Sequence, residues 1–191
     1  MNIINNAIEF GITDIGENKV QELTNKIEAI GSNVNYHMIG HLQTNKVRNI
    51  IDKVKLIHSL DKESLAKELD KRAKFNNLVV DVLVQVNVAE EDTKYGLKVS
   101  QVLPFIEEVL MFNNIRVRGL MTIAPYTDDE VLLRGIFRTM YKLKEKIASY
   151  NYDNLAMDYL SMGMTNDYEI AIEEGSNMVR IGSGIFGERN Y

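Results

Sequence analysis

Two stretches, Leu78-Val79-Val80-Asp81-Val82-Leu83-Val84-Gln85-Val86-Asn87-Val88 and Ile115-Arg116-Val117-Arg118-Gly119-Leu120-Met121-Thr122-Ile123-Ala124, decide the fold. Both are nearly continuous in apolar character rather than cleanly alternating. Strands read that way when both faces are covered, and parallel sheets are covered on both faces. Working outward, further β-rich runs lie at residues 12–18, 35–40, 55–60, 155–162 and 177–182. Most are separated by segments whose apolar residues recur three and four apart, the spacing of one helix face.

The helix signals are local. Thr127-x-x-Glu130 fits a capping box, in which hydroxyl and carboxylate satisfy backbone donors of the first turn. It opens a helix striped by Leu132, Ile136, Met140, Leu143 and Ile147. Asp61 is placed to cap the helix carrying Leu65 and Leu69, and Asn166 with Glu169 to cap the one ending at Gly175. Strand alternating with helix across short loops predicts an α/β fold with a parallel sheet. The segment Gly182-Ser183-Gly184-Ile185-Phe186-Gly187 contains G-x-G-x-x-G, but no helix of useful length and no acidic strand end follow it, so a Rossmann reading is poor. A barrel fits better, with seven strands read from the sequence where about eight are usual.

Composition narrows the function. The 191 residues suit one domain with a real core, and 45% hydrophobic with 26% charged residues exclude a disordered tail or fibre. No cysteine is present, which removes disulfides, thiolate metal sites and cysteine nucleophiles. A net charge of −5 lacks the footprint of a non-specific nucleic-acid binder. No apolar run approaches the ~20 residues of a bilayer span. The start, Met1-Asn2-Ile3-Ile4-Asn5-Asn6, has neither a basic region nor a small-residue cleavage site, so the cytoplasm is the expected compartment.

In parallel α/β proteins chemistry sits at the carboxyl ends of the strands. Those ends carry Gly16-Glu17-Asn18, Gly40-His41-Leu42-Gln43, Gln85-Val86-Asn87, Met121-Thr122, Ser161-Met162-Gly163-Met164-Thr165 and Arg180-Ile181-Gly182-Ser183-Gly184. The last two have the residues of phosphate loops, since glycine admits a phosphate to the backbone and successive N–H groups make an anion nest. The same glycines also suit tight turns and nothing more. Arg180 ends the run Met178-Val179-Arg180-Ile181, where a cation must face the barrel mouth or be paired. It serves either a structural ion pair or a ligand. His37 and His41 are four apart, but Met38 and Gly40 spoil a zinc-protease helix and no third ligand is evident, so no metal is expected. His58 reads as an interior or rim histidine. No nucleophile–base–acid set is recognisable.

Taken in order, the strand ends resemble one family. Gly16-Glu17-Asn18-x-Val20-Gln21-Glu22 and Tyr36-His37-Met38-Ile39-Gly40-His41-Leu42-Gln43-Thr44-Asn45-Lys46 match its N-terminal signatures. Gln85-Val86-Asn87, Lys94-Tyr95-Gly96 and Arg118-Gly119-Leu120-Met121 follow. Leu160-Ser161-Met162-Gly163-Met164-Thr165-x-Asp167 and Gly175-Ser176-x-x-Val179-Arg180-Ile181-Gly182-x-x-Ile185-Phe186-Gly187-x-Arg189-x-Tyr191 complete the pattern. It is that of the pyridoxal phosphate homeostasis proteins, single-domain barrels akin to the N-terminal domain of alanine racemase, and it spans essentially the whole sequence. Tyr36 and Thr165 stand where tryptophan and serine are usual.

The resemblance implies a TIM-like (β/α)8-type barrel that binds pyridoxal 5′-phosphate (PLP) at its strand carboxyl ends. It implies phosphate binding by Ser161 and Thr165 in the penultimate loop and by Gly182 and Ser183 in the last turn. Arg180 is implied to face the pyridine nitrogen, and Asn18 to lie close to the cofactor. The family pattern starts with a helix and a strand ending in an A-V-S-K-T-like motif, whose lysine attaches the cofactor. The helical segment at residues 3–11 corresponds to the helix after that lysine, and neither Lys19 nor Lys46 occupies its position. Residues 1–191 are therefore expected to form one barrel of about seven strands that binds PLP without a covalent bond. Open sheet edges in that barrel would favour self-association, although the family's members are monomers.

Three functions follow: a PLP-binding homeostasis protein, a racemase- or decarboxylase-like enzyme, or an inactive barrel acting by interaction alone. An arginine at the pyridine nitrogen keeps it unprotonated, which weakens the ring as an electron sink and favours the first. No second domain that would supply a base and close the site is expected from residues 1–191. The expected protein is thus not an enzyme, binds PLP, and engages neither nucleic acid nor membrane.

Overall fold

The structure, a computed structural model, describes residues 2–91, 93–150 and 152–187. All seven expected strands are present: β1 (Asp14–Glu17), β2 (Asn35–Met38), β3 (Leu56–Leu60), β4 (Val80–Val86), β5 (Ile115–Thr122), β6 (Leu155–Met164) and β7 (Met178–Arg180). The helices are α1 (Asn2–Glu9), α2 (Val20–Ile30), α3 (Glu63–Phe75), α4 (Val99–Val109), α5 (Glu130–Ala148), α6 (Tyr168–Glu173) and α7 (Ser183–Phe186). A 3-10 turn, Thr44–Asn49, stands between β2 and β3. The strands make one sheet in chain order, β1 through β7, with every neighbouring pair parallel. It curls into a nearly closed barrel. Among the described residues, β1 and β7 each have a strand on one side only.

The apolar runs form central strands because both faces find cover. Val80, Val82, Val84 and Val86 of β4 join the large core beneath the helices, with Leu69, Ile106 and Phe137. Leu83, pointing the other way, meets Leu56 and Met121 in a second, small cluster, with Tyr159 and Met178 packed against it. That cluster is the apolar floor of the barrel interior. Around it the buried side chains are polar, including His37, His58, Gln85 and Ser161. At the amino-terminal end, Arg118 bridges Asp81 (2.8 Å) and Asp158 (2.5 Å), and Arg116 binds Asp81 at 2.7 Å. In this fold that end contributes stability rather than chemistry.

The helix caps differ from the sequence reading. Asp129, not Thr127, caps α5, accepting from the Leu132 N–H at 3.0 Å, while the Thr127 hydroxyl accepts from the Asp129 N–H at 3.1 Å. The buried stripe of α5 starts at Leu133 and includes Phe137, and Leu132 is 45% exposed. Lys62, not Asp61, occupies the α3 cap position, without a side-chain bond. For α6 the cap is Asp167 rather than Asn166, and its carboxylate turns back to accept from the Met164 N–H at 2.5 Å.

Candidate cofactor site at the carboxyl end of the barrel

The carboxyl mouth is built from the loops that follow each strand. After β1 comes Asn18, exposed, behind a Glu17 that is buried and paired with Lys26 of α2. Gly40, beyond β2, packs so closely on this turn that a Cβ there would overlap the Asn18 carbonyl oxygen. Only glycine lets the two loops meet, which fixes Asn18 at the rim. The third motif pair is also brought together. Asn87 donates to the Glu91 and Lys94 carbonyls at 2.8 and 3.4 Å, and Gln85 donates to the Tyr95 carbonyl at 3.2 Å. The Tyr95 ring then stacks on His41, with centroids 3.9 Å apart and planes 12° apart. His41 does not join His37 in a common site, since His37 points into the barrel and His41 lies on the rim beyond β2.

The last two strands supply the strongest polar cluster. Gly163, at φ +94°, lets β6 bend over α6, where a Cβ would stand 2.7 Å from that of Ala171. The bend carries Thr165 to the turn after β7. There the Thr165 hydroxyl oxygen accepts from the backbone N–H groups of Gly182 (3.3 Å) and Gly184 (3.2 Å). Two N–H donors thus converge on one oxygen at an exposed turn that includes Ser183. Arg180, ending β7, donates from Nη1 to the Ser161 hydroxyl (2.6 Å) and from Nη2 to the Thr122 carbonyl (2.7 Å). Both acceptors are neutral. Burial pulls the guanidinium pKa down to about 10, with the nearby Asp167 charge opposing, and among the described residues Arg180 makes no salt bridge.

Ser161, expected beside Thr165 in a loop, stands instead within β6, fully buried under Arg180, and its hydroxyl also meets His58 Nδ1 at 3.0 Å. His58 Nε2 lies 2.9 Å from His37 Nδ1, and His37 Nε2 lies 3.0 Å from the Asp14 carboxylate. His58 is therefore interior. Sequence reading missed this inner set. Its signal was a polar residue on the lumen-facing register of each apolar strand, but which of them touch depends on strand register. Arg189 and Tyr191 of the last motif lie outside the described residues.

Residues 1–190 match the sequence profile of the alanine racemase N-terminal domain family. The chain is 45% identical to the pyridoxal phosphate homeostasis protein of Aquifex aeolicus over 190 residues, 99% of this chain and 82% of that protein. The chain belongs to the pyridoxal phosphate homeostasis family. The Haemophilus influenzae member is 38% identical over 97% of this chain and 79% of its own length. In three dimensions the chain resembles PipY of Synechococcus elongatus, solved with PLP bound, at TM-score 0.83 and 27% identity over 96% of this chain and 86% of that one. The PLP-free form of the same protein superposes at TM-score 0.89, with 28% identity, covering 97% and 87% of the two chains. The Aquifex and Haemophilus relatives are called homeostasis proteins, not enzymes. Within the described residues of this homeostasis-family barrel, no helix is long and apolar enough to cross a membrane.

Proposed function

We propose that this protein binds pyridoxal 5′-phosphate at the carboxyl mouth of the barrel and serves PLP homeostasis in the cytoplasm, with residues 1–191 as one barrel domain. The carrying observation is Arg180, a half-buried guanidinium that donates to two neutral oxygens and makes no salt bridge among the described residues, with Asp167 as a nearby carboxylate charge. Such a cation is costly unless a ligand completes its environment. The loops beside it follow the last two strands, where barrels of this kind commonly seat phosphate. In this reading Thr165, Gly182 and Ser183 hold the phosphate, and Arg180 donates to the pyridine nitrogen with Ser161 behind it. Asn18 closes the rim. Bound PLP brings a ring that stabilises negative charge at an attached carbon, and an arginine at the ring nitrogen weakens that capacity. The reading is accordingly a binding protein rather than a racemase or decarboxylase, in which residues 1–191 hold the cofactor without a covalent bond.

Calorimetry with PLP and with pyridoxal tests the assignment. Each charge-assisted hydrogen bond contributes ~1.5–3 kcal/mol, about ten- to a hundredfold in affinity, so pyridoxal should bind orders of magnitude more weakly. Arg180→Glu should weaken PLP binding at least about tenfold while circular dichroism stays unchanged. Equal affinities for the two ligands, or normal PLP binding by Arg180→Glu, contradicts the site. Borohydride treatment and mass measurement complete the experiment, since a stoichiometric adduct on one lysine contradicts non-covalent binding.

A further inference from the structure

A continuous chain of hydrogen bonds crosses the barrel interior. It runs from Arg180 at the carboxyl mouth through Ser161, His58 and His37 to Asp14 at the opposite end, with steps of 2.6, 3.0, 2.9 and 3.0 Å. The members come from β7, β6, β3, β2 and β1. With both imidazoles neutral, chemistry at the two ends fixes every proton between them. Arginine has only donors, and an ionised aspartate has only acceptors. Arg180 must donate to the Ser161 oxygen and His37 Nε2–H to Asp14. Each neutral imidazole then carries its proton on Nε2, and the Ser161 hydroxyl donates to His58 Nδ1.

The chain has one alternative arrangement. If His37 gains a proton on Nδ1, it donates to His58, which must shift its own proton to Nδ1 and donate to Ser161. The serine oxygen then accepts from both His58 and Arg180, and its hydroxyl hydrogen is released toward an acceptor on a ligand seated at Arg180. The charge gained by His37 has a carboxylate partner that is open to solvent. Asp14 is 43% exposed at its side chain and opens on a pocket of about 220 Å³ at the amino-terminal mouth, lined also by His37, Lys55, Asp81, Arg118 and Tyr159.

We infer that Asp14, His37, His58 and Ser161 form a relay that couples ligand binding at Arg180 to uptake of one proton by His37 at the far end of the barrel. The inference rests on the PLP reading of the mouth and makes these four positioning residues for Arg180. The charges around the relay agree with it. His37 faces Asp14 of β1, His58 of β3 and Lys55 just before β3, and His58 faces His37 and Arg180. Burial depresses the pKa of His37, with Asp14 opposing and Lys55 adding to the depression. Burial depresses that of His58 further, helped by His37 and Arg180. Both are neutral before binding, and a ligand carrying the ~1.5–2 negative charges of a phosphate monoester offsets the Arg180 charge that acts on His58, the ring to which protonated His37 donates.

The test has two arms. In the unliganded protein at about pH 7, long-range proton–nitrogen NMR of the imidazoles should show the Nε2–H form at both His37 and His58. An Nδ1–H form at either overturns the relay without reference to any ligand. In the second arm PLP is titrated into wild type and Asp14→Asn by calorimetry in buffers of different ionisation enthalpy at about pH 6.5. Asparagine still accepts from His37 but does not stabilise its cationic form. Proton uptake by wild type should exceed that of Asp14→Asn by about half a proton per site or more, and Asp14→Asn should still bind PLP. Asp14→Glu should restore uptake. Equal uptake in wild type and Asp14→Asn overturns the coupling alone, whereas no PLP binding by wild type overturns the reading on which it rests.

Discussion

His58 is neutral because burial, the His37 ring and the Arg180 guanidinium all disfavour its charged form. In acid that neutrality becomes a liability. With the folded pKa depressed below the unfolded value of about 6.5, the unfolded chain binds more protons between the two values. Stability is then full above about pH 6.5 and declines as pH falls toward the folded pKa, by up to ~1.4 kcal/mol for each unit of depression. His37 adds to the same trend. The melting temperature of the unliganded protein should therefore fall between about pH 7.5 and pH 5.5, and fall less in His58→Gln, which lacks the titrating ring. A pH-independent melting temperature in wild type contradicts the neutral assignment. At this scale the sequence was partly legible. Arg180 stood out because a cation at the end of an apolar strand demands a reason. The contact between His58 and Ser161 did not, because it joins residues 103 positions apart through strand register alone.

Elements were legible where burial decides and blurred where polar neighbours compete. Valine and isoleucine runs located β4 and β5 within two residues or so, since no other structure covers both faces of such a segment. The caps were displaced by one or two positions. Thr127, Asp128 and Asp129 each have a side chain suited to an N-cap, and the choice falls to the loop leaving β5. Because Asp129 holds the Leu132 N–H, Asp129→Ala should cost about 0.5–2 kcal/mol in urea unfolding, and Thr127→Ala less. The reverse order would restore Thr127 as the cap. Beyond its cap, α5 also holds the site's support in place. Its Arg134 and Arg138 bind Glu173 and Glu174, at the carboxyl end of α6, at 2.6–3.2 Å, and the loop bearing Thr165 leads directly into that helix.

For the whole molecule, the count of seven strands and the parallel order followed from the sequence, because alternation of strand and helix leaves few topologies. Closure did not follow, since it depends on pairing at the two ends of the sheet. Among the described residues, β1 and β7 each have one edge without a strand partner, and such edges present backbone N–H and C=O groups that invite another strand. Sedimentation of the 191-residue chain should show association that grows with concentration, and a monomer throughout a wide range contradicts that expectation.

The same unpaired edges carry a mechanical meaning. A tube slit along its length bends much as a whole one does but twists far more easily, because shear stress has no closed circuit to run around. Asn18 follows one lip of the slit and Gly182 the other. A small molecule gripped from both lips is a rivet, restoring torsional stiffness at the mouth while the far end stays compliant. If PLP sits at the mouth as proposed, it would be a structural member of the barrel as well as its cargo, and its release would loosen the ring that held it.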